Sequence, residues 1–416
     1  MSASAPGPAD AAQLAALAAA VPELVRQLGG SGPIGNGPIG TWDLEANRLR
    51  IQHRPGAGIS AMYRMPAGTG FNELGATTEK IAVPGVAATT IGAGRQTPGI
   101  TVSGWIHPHD PMLPDLAFAA DRGHVQRTWG EGELLTGLKT VAYRPLRRAV
   151  LRARFTTRGP LRIQRTVFLK VGRAPAITGL RLRHELLAGT GIPVPEMLGP
   201  RTSGILALEA GRGESLGAAI RRHGGTDLDP NDFIALLDAL PAGVMQLEAR
   251  AAWSDSLQRY RQAATLALPH RAAELEALAA RIAGHLSASD RGELVPAHGD
   301  FYDANILLEA GSISALLDLD SLGPGYRVDD LACLLGHLAI LPSLGEKNRE
   351  AGPALERFGA VFERHVDPRA LWARSAGVAL TLIAGSRGLG ADTWEQVAEA
   401  RLRTVEELVR RADAFT

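Results

Sequence analysis

Apolar and polar residues follow one pattern before about residue 214 and another after it. Residues 9–28 have helical periodicity, and the Gly/Pro-rich stretch GGSGPIGNGPIG at 29–40 ends that helix. Short strand-like segments with turn residues between them follow at 47–65, 79–94 and 99–107, and residues 110–129 are predicted to be helical. This pattern predicts a helix and linker at 1–40 and an accessory β-rich module at 41–130.

A second β-rich block begins near residue 137. LKTVAYRPLRRAVLRARF at 138–155 predicts two strands joined by a tight turn, and RTVFLKV at 165–171 predicts a third strand. A helix is predicted at 176–191 and a buried strand at 203–211, after which the chain is mainly helical. We therefore predict an α+β fold, with one part at 131–212 and a helical part at 213–416.

Composition indicates an enzyme that acts on a small molecule. The 416 residues exceed what one hydrophobic core usually fills, and 45% of them are hydrophobic. A formal net charge of +1 offers no electrostatic basis for binding nucleic acid or an anionic membrane. We therefore expect a small-molecule acceptor and neither nucleic acid nor membrane as a partner.

The single cysteine and the absence of an apolar span favour a cytoplasmic protein. Cys333 lies in an apolar segment and is predicted to be a buried structural thiol. The N-terminal residues lack a basic leader region, and no apolar stretch reaches the ~18 residues that a membrane span needs.

The segment HGDFYDANILL at 298–308 brings acids and an amide to the edge of an apolar strand. Phosphoryl transfer from ATP needs a carboxylate to accept the proton of the attacking hydroxyl, and oxygen ligands to hold Mg²⁺. Asp300 and Asn305 lie on one loop, and the returning strand ISALLDLD presents Asp318 at its end. Asp and Asn oxygens are hard donors that suit magnesium.

A kinase also needs a cation on the nucleotide phosphates. The chain has only four lysines, and one of them, Lys170, stands at the end of a predicted strand. Glu185 follows on the next predicted helix, so the two residues are a candidate phosphate clamp.

Three other chemistries fit short motifs. GNGPIG at 35–40 matches a dinucleotide-binding pattern, but it follows a helix and contains Pro38, so it is interpreted as a linker. GESLG at 213–217 matches a nucleophile elbow that would make Ser215 a hydrolase nucleophile, although its glycines equally suit a hinge. His298 and Asp300 could bind a catalytic metal, but no further histidine cluster accompanies them.

Taken together, the motifs resemble the aminoglycoside phosphotransferase and choline kinase family of the protein-kinase-like fold. The resemblance covers motifs at about 137–340, and these are HGDFYDAN, LLDLDSLGPGYRVDDLA, VFLKV, RHELLAGTGIPVPEMLG and LALEAGRGESL. It implies a bilobal fold with a β-rich N-lobe and a mainly helical C-lobe. The extra residues at 1–130 are reminiscent of maltokinase-like sugar kinases.

The resemblance also implies a role for each matching residue. Asp300 would be the catalytic base, Asn305 and Asp318 would bind Mg²⁺, and His298 and Asp330 would support the loop. Lys170 paired with Glu185 would contact phosphate, and the backbone near Glu209 to Gly211 would bind adenine. The turn YRPLRR has no glycine, so Arg147 or Arg148 would contact phosphate in its place.

The expected function is ATP- and Mg²⁺-dependent phosphorylation of a hydroxyl on an aminoglycoside-like compound or a sugar. Asp303, Asp320 and Asp329 are candidate contacts for that acceptor. Two alternatives stay open, namely a non-catalytic nucleotide-binding regulatory protein of the same fold and a serine hydrolase that uses Ser215.

Overall fold

The computed structural model describes residues 8–28, 47–54, 57–67, 70–92, 99–159, 161–389 and 393–416. These residues form two compact units. The strand-rich unit comprises the described residues up to Gly179 together with Glu196–Ala210, and the helical unit comprises Leu180–Pro195 and Gly211–Thr416. The predicted linker at 29–40, with its GNGPIG motif, lies outside the described residues.

The strand-rich unit begins with a helix packed on an antiparallel sheet. The elements are α1 (Pro8–Leu28), β1 (Arg48–Arg54), β2 (Gly58–Ala67), β3 (Gly70–Thr77), β4 (Ala87–Ile91) and β5 (Ile100–Ile106), with strand order β1-β2-β3-β5-β4. Alternate residues of β2, such as Ile59 and Ala61, point to the same face and pack with Leu17 and Leu24 of α1. The apolar face of α1 and the apolar face of β2 are therefore buried against each other.

A second five-stranded antiparallel sheet follows in the same unit. Its elements are α2 (Leu116–Ala120), α3 (Arg122–Trp129), β6 (Leu134–Arg144), β7 (Arg148–Thr156), β8 (Gln164–Gly172), α4 (Ala174–Leu187), β9 (Met197–Leu198) and β10 (Ile205–Glu209), with strand order β6-β7-β8-β10-β9. Helix α4 begins in this unit, and its residues from Leu180 onward belong to the helical unit. Met62 and Trp105 of the first sheet belong to the same core as Leu151 and Phe155 of the second. The predicted boundary near residue 131 therefore runs across a common core, and the four-part division stays a prediction.

The helical unit contains eight further helices and five short strands among its described residues. They are β11 (Glu214–Ser215), α5 (Leu216–His223), α6 (Pro230–Asp238), α7 (Leu257–Ala267), α8 (Ala272–Ser287), β12 (Leu294–Ala297), β13 (Ile306–Glu309), β14 (Ser312–Leu316), β15 (Gly323–Tyr326), α9 (Arg327–Ile340), α10 (Ala351–Phe362), α11 (Pro368–Ile383) and α12 (Trp394–Asp413). Helix α11 is buried along nearly its whole length and contacts α7, α8, α9 and α12. It is the central helix of this unit, as expected for a helix that is apolar on all sides.

The element predictions differ from the structure in a few places. The helix expected at 110–129 is two helices, because Asp121 ends α2 and its side chain caps α3 by accepting a hydrogen bond from the His124 N–H. The sequence analysis predicts no strand at the positions of β3, β9, β11, β12 and β15. Across the described residues, no helix has the length and apolar character that crossing a membrane requires.

Candidate active site

The β13–β14 hairpin and the loop before it form the centre of the site. Ile306 pairs with Leu316, and beyond that pair the backbone N–H of Leu317 donates to the carbonyl of Asn305 at 2.8 Å. The carbonyl of Leu317 in turn accepts a hydrogen bond from Nε2 of His298 at 2.9 Å. Leu317 is therefore bonded to both ends of loop 298–305, and its neighbour Asp318 comes beside that loop.

His298 is fully buried and has a defined tautomer. Its Nδ1 accepts the backbone N–H of Asp300 at 3.3 Å, so Nε2 carries the proton that it donates to Leu317. Both ring nitrogens are engaged within the protein. This arrangement leaves neither nitrogen for a metal, and the supporting role of His298 stays a prediction.

Asp330, on the first turn of α9, holds the start of the loop. One carboxylate oxygen accepts the N–H of His298 at 2.8 Å and the other accepts the N–H of Gly299 at 2.7 Å. Gly299 has φ +79°, and a Cβ there would lie 2.6 Å from the carbonyl oxygen of Ser321, so only glycine fits. Burial raises the pKa of Asp330 to about 6, and the two N–H donors oppose that rise.

Asp300 presents a half-buried carboxylate at the tip of the loop. Burial, together with the negative charge of Asp318, raises its pKa to about 6. Oδ1 accepts a hydrogen bond from the indole N–H of Trp253 at 3.3 Å, and Oδ2 lies 3.5 Å from Nδ2 of Asn305. The site thus brings acidic side chains together around one loop.

Asn305 and Asp318 offer the oxygen atoms expected of a magnesium site. Nδ2 of Asn305 donates to the carbonyl of Asp300 at 2.9 Å, which leaves the amide oxygen as an acceptor for a cation. Asp318 has left-handed backbone angles, φ 56° and ψ 59°, at the start of a short 3₁₀ helix. No group of three or more His, Cys, Asp or Glu residues in the described part of the chain could hold a metal. A set of one amide and one carboxylate suits Mg²⁺, which keeps water and phosphate oxygens as its other ligands.

The three carboxylates predicted to meet the acceptor have different surroundings. Asp303 is only 7% exposed and lies against Gly217, where a Cβ would approach its Oδ2 to 2.1 Å, so its burial argues against contact with a dissolved acceptor. Asp329 is bound by two arginines, Arg291 and Arg374. Asp320 is half-buried and close enough to influence the pKa of Asp300. The predicted contact of Asp320 with the acceptor stays a prediction.

The amino-acid sequence matches the Phosphotransferase enzyme family (APH) over residues 181–371. An uncharacterized protein of Deinococcus radiodurans is 31% identical over 258 residues, which cover 57% of this chain and 71% of that protein. The chain belongs to the phosphotransferase enzyme family. The predicted resemblance is confirmed, while the likeness of residues 1–130 to maltokinase-like proteins stays a prediction.

Solved structures that resemble this chain include an aminoglycoside phosphotransferase and a choline kinase. A thermostable mutant of aminoglycoside phosphotransferase APH(4)-Ia, in ternary complex with AMP-PNP and hygromycin B, is 18% identical with a TM-score of 0.46 and covers 71% of this chain and 100% of that chain. Choline kinase from Cryptosporidium parvum Iowa II is 13% identical with a TM-score of 0.42 and covers 70% of this chain and 94% of that chain. This phosphotransferase has the predicted α+β fold, with antiparallel five-stranded sheets before a mainly helical unit.

The arginine-rich turn of this phosphotransferase is fixed in the strand-rich unit. The backbone N–H of Leu146 donates to Asp110 at 2.7 Å, and the carbonyl of Leu146 accepts from Arg173 at 2.9 Å. Arg147 forms an ion pair with Glu79 at 3.3 Å, and this pairing argues against its predicted phosphate contact. Arg148 is half-buried at the start of β7, and its predicted role stays open.

The other predicted nucleotide residues lie on defined elements. Lys170 is on β8, where it pairs with Val150 and Leu206, and Glu185 is on α4. The backbone N–H of Glu209 already donates to Glu196 at 2.9 Å. A Cβ on Gly211 would lie 2.7 Å from the side chain of Leu307, which explains the glycine. The contacts of all four residues with a nucleotide stay predictions.

Ser215 has the geometry of a helix cap in place of a nucleophile elbow. Its backbone is relaxed, with φ −68° and ψ 149°, and its Oγ accepts the N–H of Ala218 at the start of α5. A nucleophile elbow requires a strained turn that lifts the hydroxyl above a sheet. Cys333 is buried, as predicted, and burial raises the pKa of its thiol well above the ordinary value.

Trp253 is a site residue that sequence reasoning missed. It belongs to a short 3₁₀ helix, Trp253–Ser256, and lies 47 positions before the aspartate to which its indole donates. A lone tryptophan in the segment AAWSDS has no motif around it, so only the folded structure reveals its contact with Asp300.

Proposed function

We propose that this phosphotransferase moves the γ-phosphoryl group of ATP, in the presence of Mg²⁺, to a hydroxyl of an aminoglycoside-like compound or a sugar. The observation that carries the proposal is the meeting of Asp300, Asn305 and Asp318 around one loop whose backbone is held by His298 and Asp330. Phosphoryl transfer depends mainly on positioning and electrostatic stabilisation, and a loop fixed in this way supplies positioning.

Asp300 would act as the general base. Its carboxylate would accept a hydrogen bond from the acceptor hydroxyl and take its proton as the oxygen bonds to the γ-phosphorus. The bond between that phosphorus and the bridging oxygen breaks, and ADP leaves with the electron pair. The half-buried position of Asp300 supports this role, because the carboxylate is held within the protein and still reaches solvent.

Asn305 and Asp318 would hold the magnesium ion through an amide oxygen and a carboxylate. When bound, Mg²⁺ supplies positive charge that stabilises the phosphate oxygens. Lys170 would contact the phosphates, Glu185 is its predicted partner, and the backbone near Glu209 and Gly211 would bind adenine. Asp320 would face the acceptor.

A screen for ATP consumption tests the proposal. Purified protein with MgATP would be offered hygromycin B, glucose, glucosamine and choline, with ADP production followed by a coupled assay. Transfer to at least one of them is expected to fall at least ~1,000-fold in Asp300→Asn, because the amide cannot accept the proton. Asp232→Asn, an exposed position on α6, is the matched control and should keep wild-type activity.

One observation favours a second candidate, a non-catalytic nucleotide-binding protein of the same fold. The turn expected over the phosphates has no glycine, and Asp110 and Arg173 bind its backbone. Calorimetry that shows nucleotide binding would support that candidate if ATP is converted to ADP neither with any of the four compounds nor by hydrolysis. The same result would contradict the phosphotransferase proposal.

A further inference from the structure

The two carboxylate oxygens of Asp300 have different neighbours. Oδ1 accepts the indole N–H of Trp253 at 3.3 Å, whereas Oδ2 faces the amide of Asn305 at 3.5 Å. A carboxylate held from both sides cannot turn freely about its Cβ–Cγ bond. The tryptophan therefore sets which lone pairs of Asp300 are open to another molecule.

Trp253 is itself held in place by its two following residues. The Oγ of Ser254, which is 4% exposed, accepts a hydrogen bond from Arg374 at 2.9 Å. The carboxylate of Asp255 accepts one from Arg291 at 2.9 Å and one from the backbone N–H of Ala252 at 3.1 Å. The short helix that carries the indole is thus bound at consecutive positions.

Both arginines meet on Asp329. Arg374 donates to one oxygen of this carboxylate at 2.7 Å, and Arg291 donates to the other at 2.7 Å. Arg374 is only 5% exposed, and Arg291 lies over the ring of Tyr326 at 4.1 Å. A paired, partly buried network of this kind restrains the geometry of the groups that it joins.

Asp329 is the direct neighbour of Asp330 on the first turn of α9. Asp330 binds the backbone of His298 and Gly299, just before Asp300, whereas Asp329 binds the arginines that hold the Trp253 helix. One helical turn therefore anchors both the loop that carries the carboxylate and the helix that carries its indole partner.

We propose that Trp253 is a positioning residue for Asp300, and that its 37% exposed ring forms one wall of the acceptor site. This inference rests on the proposed function. The indole N–H orients the carboxylate toward the acceptor hydroxyl, and the ring face contacts the acceptor. Asp329 and Asp330 of α9 hold the indole and the carboxylate in fixed positions relative to each other.

Kinetics separate the two roles of the tryptophan. Trp253→Phe keeps a ring and removes the N–H, so kcat for the compound phosphorylated in the screen should fall about tenfold while the acceptor KM stays within about twofold. Trp253→Ala should lower kcat similarly and raise the acceptor KM at least about fivefold. The KM for ATP should not change in either variant. Trp394→Phe, on α12 of the same unit, is the matched control and should keep wild-type kinetics.

A spectroscopic readout tests the contact without using activity. The chain has 6 tryptophans, and in an indole ¹H–¹⁵N spectrum Trp253→Phe identifies one N–H resonance by its loss. Asp300→Ala should shift that resonance toward the position of a free indole, and it should leave the Trp394 resonance in place.

The outcomes are distinguishable. An unmoved Trp253 resonance in Asp300→Ala overturns the inference, and so does wild-type kcat in Trp253→Phe when the wild-type protein phosphorylates one of the four compounds. A moved resonance without transfer to any compound or to water overturns the proposed function, and the positioning role falls with it. Both the proposed function and the positioning role are supported if the Trp253 resonance moves, Trp253→Phe lowers kcat alone, and Trp253→Ala also raises the acceptor KM.

Discussion

Two loops of this phosphotransferase are held in the same way and present different chemistry. In loop 298–305 of the helical unit, buried Asp330 accepts the backbone N–H groups of His298 and Gly299. In turn 144–148 of the strand-rich unit, buried Asp110 accepts the backbone N–H of Leu146 and the hydroxyl of Tyr143. Burial raises the pKa of both carboxyls, that of Asp330 to about 6.

The difference lies in the side chains that each backbone presents. Loop 298–305 presents Asp300 and Asn305 beside Asp318, with one amide oxygen left for a cation. The turn buries Leu146 and pairs Arg147 with Glu79. A buried aspartate therefore fixes the backbone of a loop, whereas the chemistry of that loop depends on the other side chains that it carries.

The largest expected effect comes from Asp330→Asn. An amide has one acceptor oxygen, so one of the two backbone N–H groups loses its partner, and the free energy of unfolding should fall by about 2–3 kcal/mol. Displacement of the Asp300 carboxylate should lower kcat at least about 100-fold. Urea denaturation and the coupled ADP assay measure the two effects, with Asp232→Asn as the control. Wild-type kcat in a destabilised Asp330→Asn protein would contradict this account of the loop.

Asp110→Asn tests the other loop. It should lower the free energy of unfolding by about 2 kcal/mol, because the amide cannot replace all the bonds to Tyr143, Leu146 and Met112. The kcat should stay within about threefold of wild type, since the turn presents no catalytic group. A fall in kcat as large as that of Asp330→Asn would instead assign the turn to phosphate binding.

The pH dependence of stability sharpens the comparison further. Because the pKa of Asp330 is raised to about 6 from 3.8, its contribution to stability is fully present below pH 3.8 and is lost as pH rises through 6. Relative to Asp330→Asn, the wild-type protein should lose about 1 kcal/mol of unfolding free energy from about pH 5 to about pH 7. Parallel curves in urea titrations across this range would show that the carboxyl is already ionised.

The smallest effect is expected from Arg147→Ala. Partly exposed ion pairs contribute about 0–1 kcal/mol, and this guanidinium is already paired with Glu79, so the KM for ATP should change less than about twofold. Lys170→Ala is the comparison variant and should raise that KM at least about tenfold if Lys170 contacts phosphate. Equal changes in the KM for ATP in the two variants would contradict the expectation that Lys170 contacts phosphate and Arg147 does not.

Loop 298–305 and the hairpin after it were largely predictable from the sequence. Asp300, Asn305 and Asp318 occur at a spacing that matches a strand hairpin, and the hairpin β13–β14 is present with Ile306 paired to Leu316. The strands of the second sheet were also predictable, because alternation in β7 and β8 is strong. These features depend on residues that are near one another in the chain.

Other features were not predictable because they depend on distant contacts. Asp110 holds a turn 36 positions later, and Trp253 meets a carboxylate 47 positions later. Strand β15, with the sequence GPGY, has no strand propensity and exists because it pairs with β12. Local preference carries no information about such partners.

The sequence by itself determined the family, the α+β class and the acids and amide of the loop, since periodicity and motif spacing are local properties of the chain. Tertiary structure alone decided that Asp303 and Asp329 are enclosed, that Arg147 is neutralised and that Trp253 lies against Asp300. The physical reason is that burial and charge pairing are set by the side chains that folding brings together from distant positions, and these surroundings decide which carboxylates remain open for chemistry.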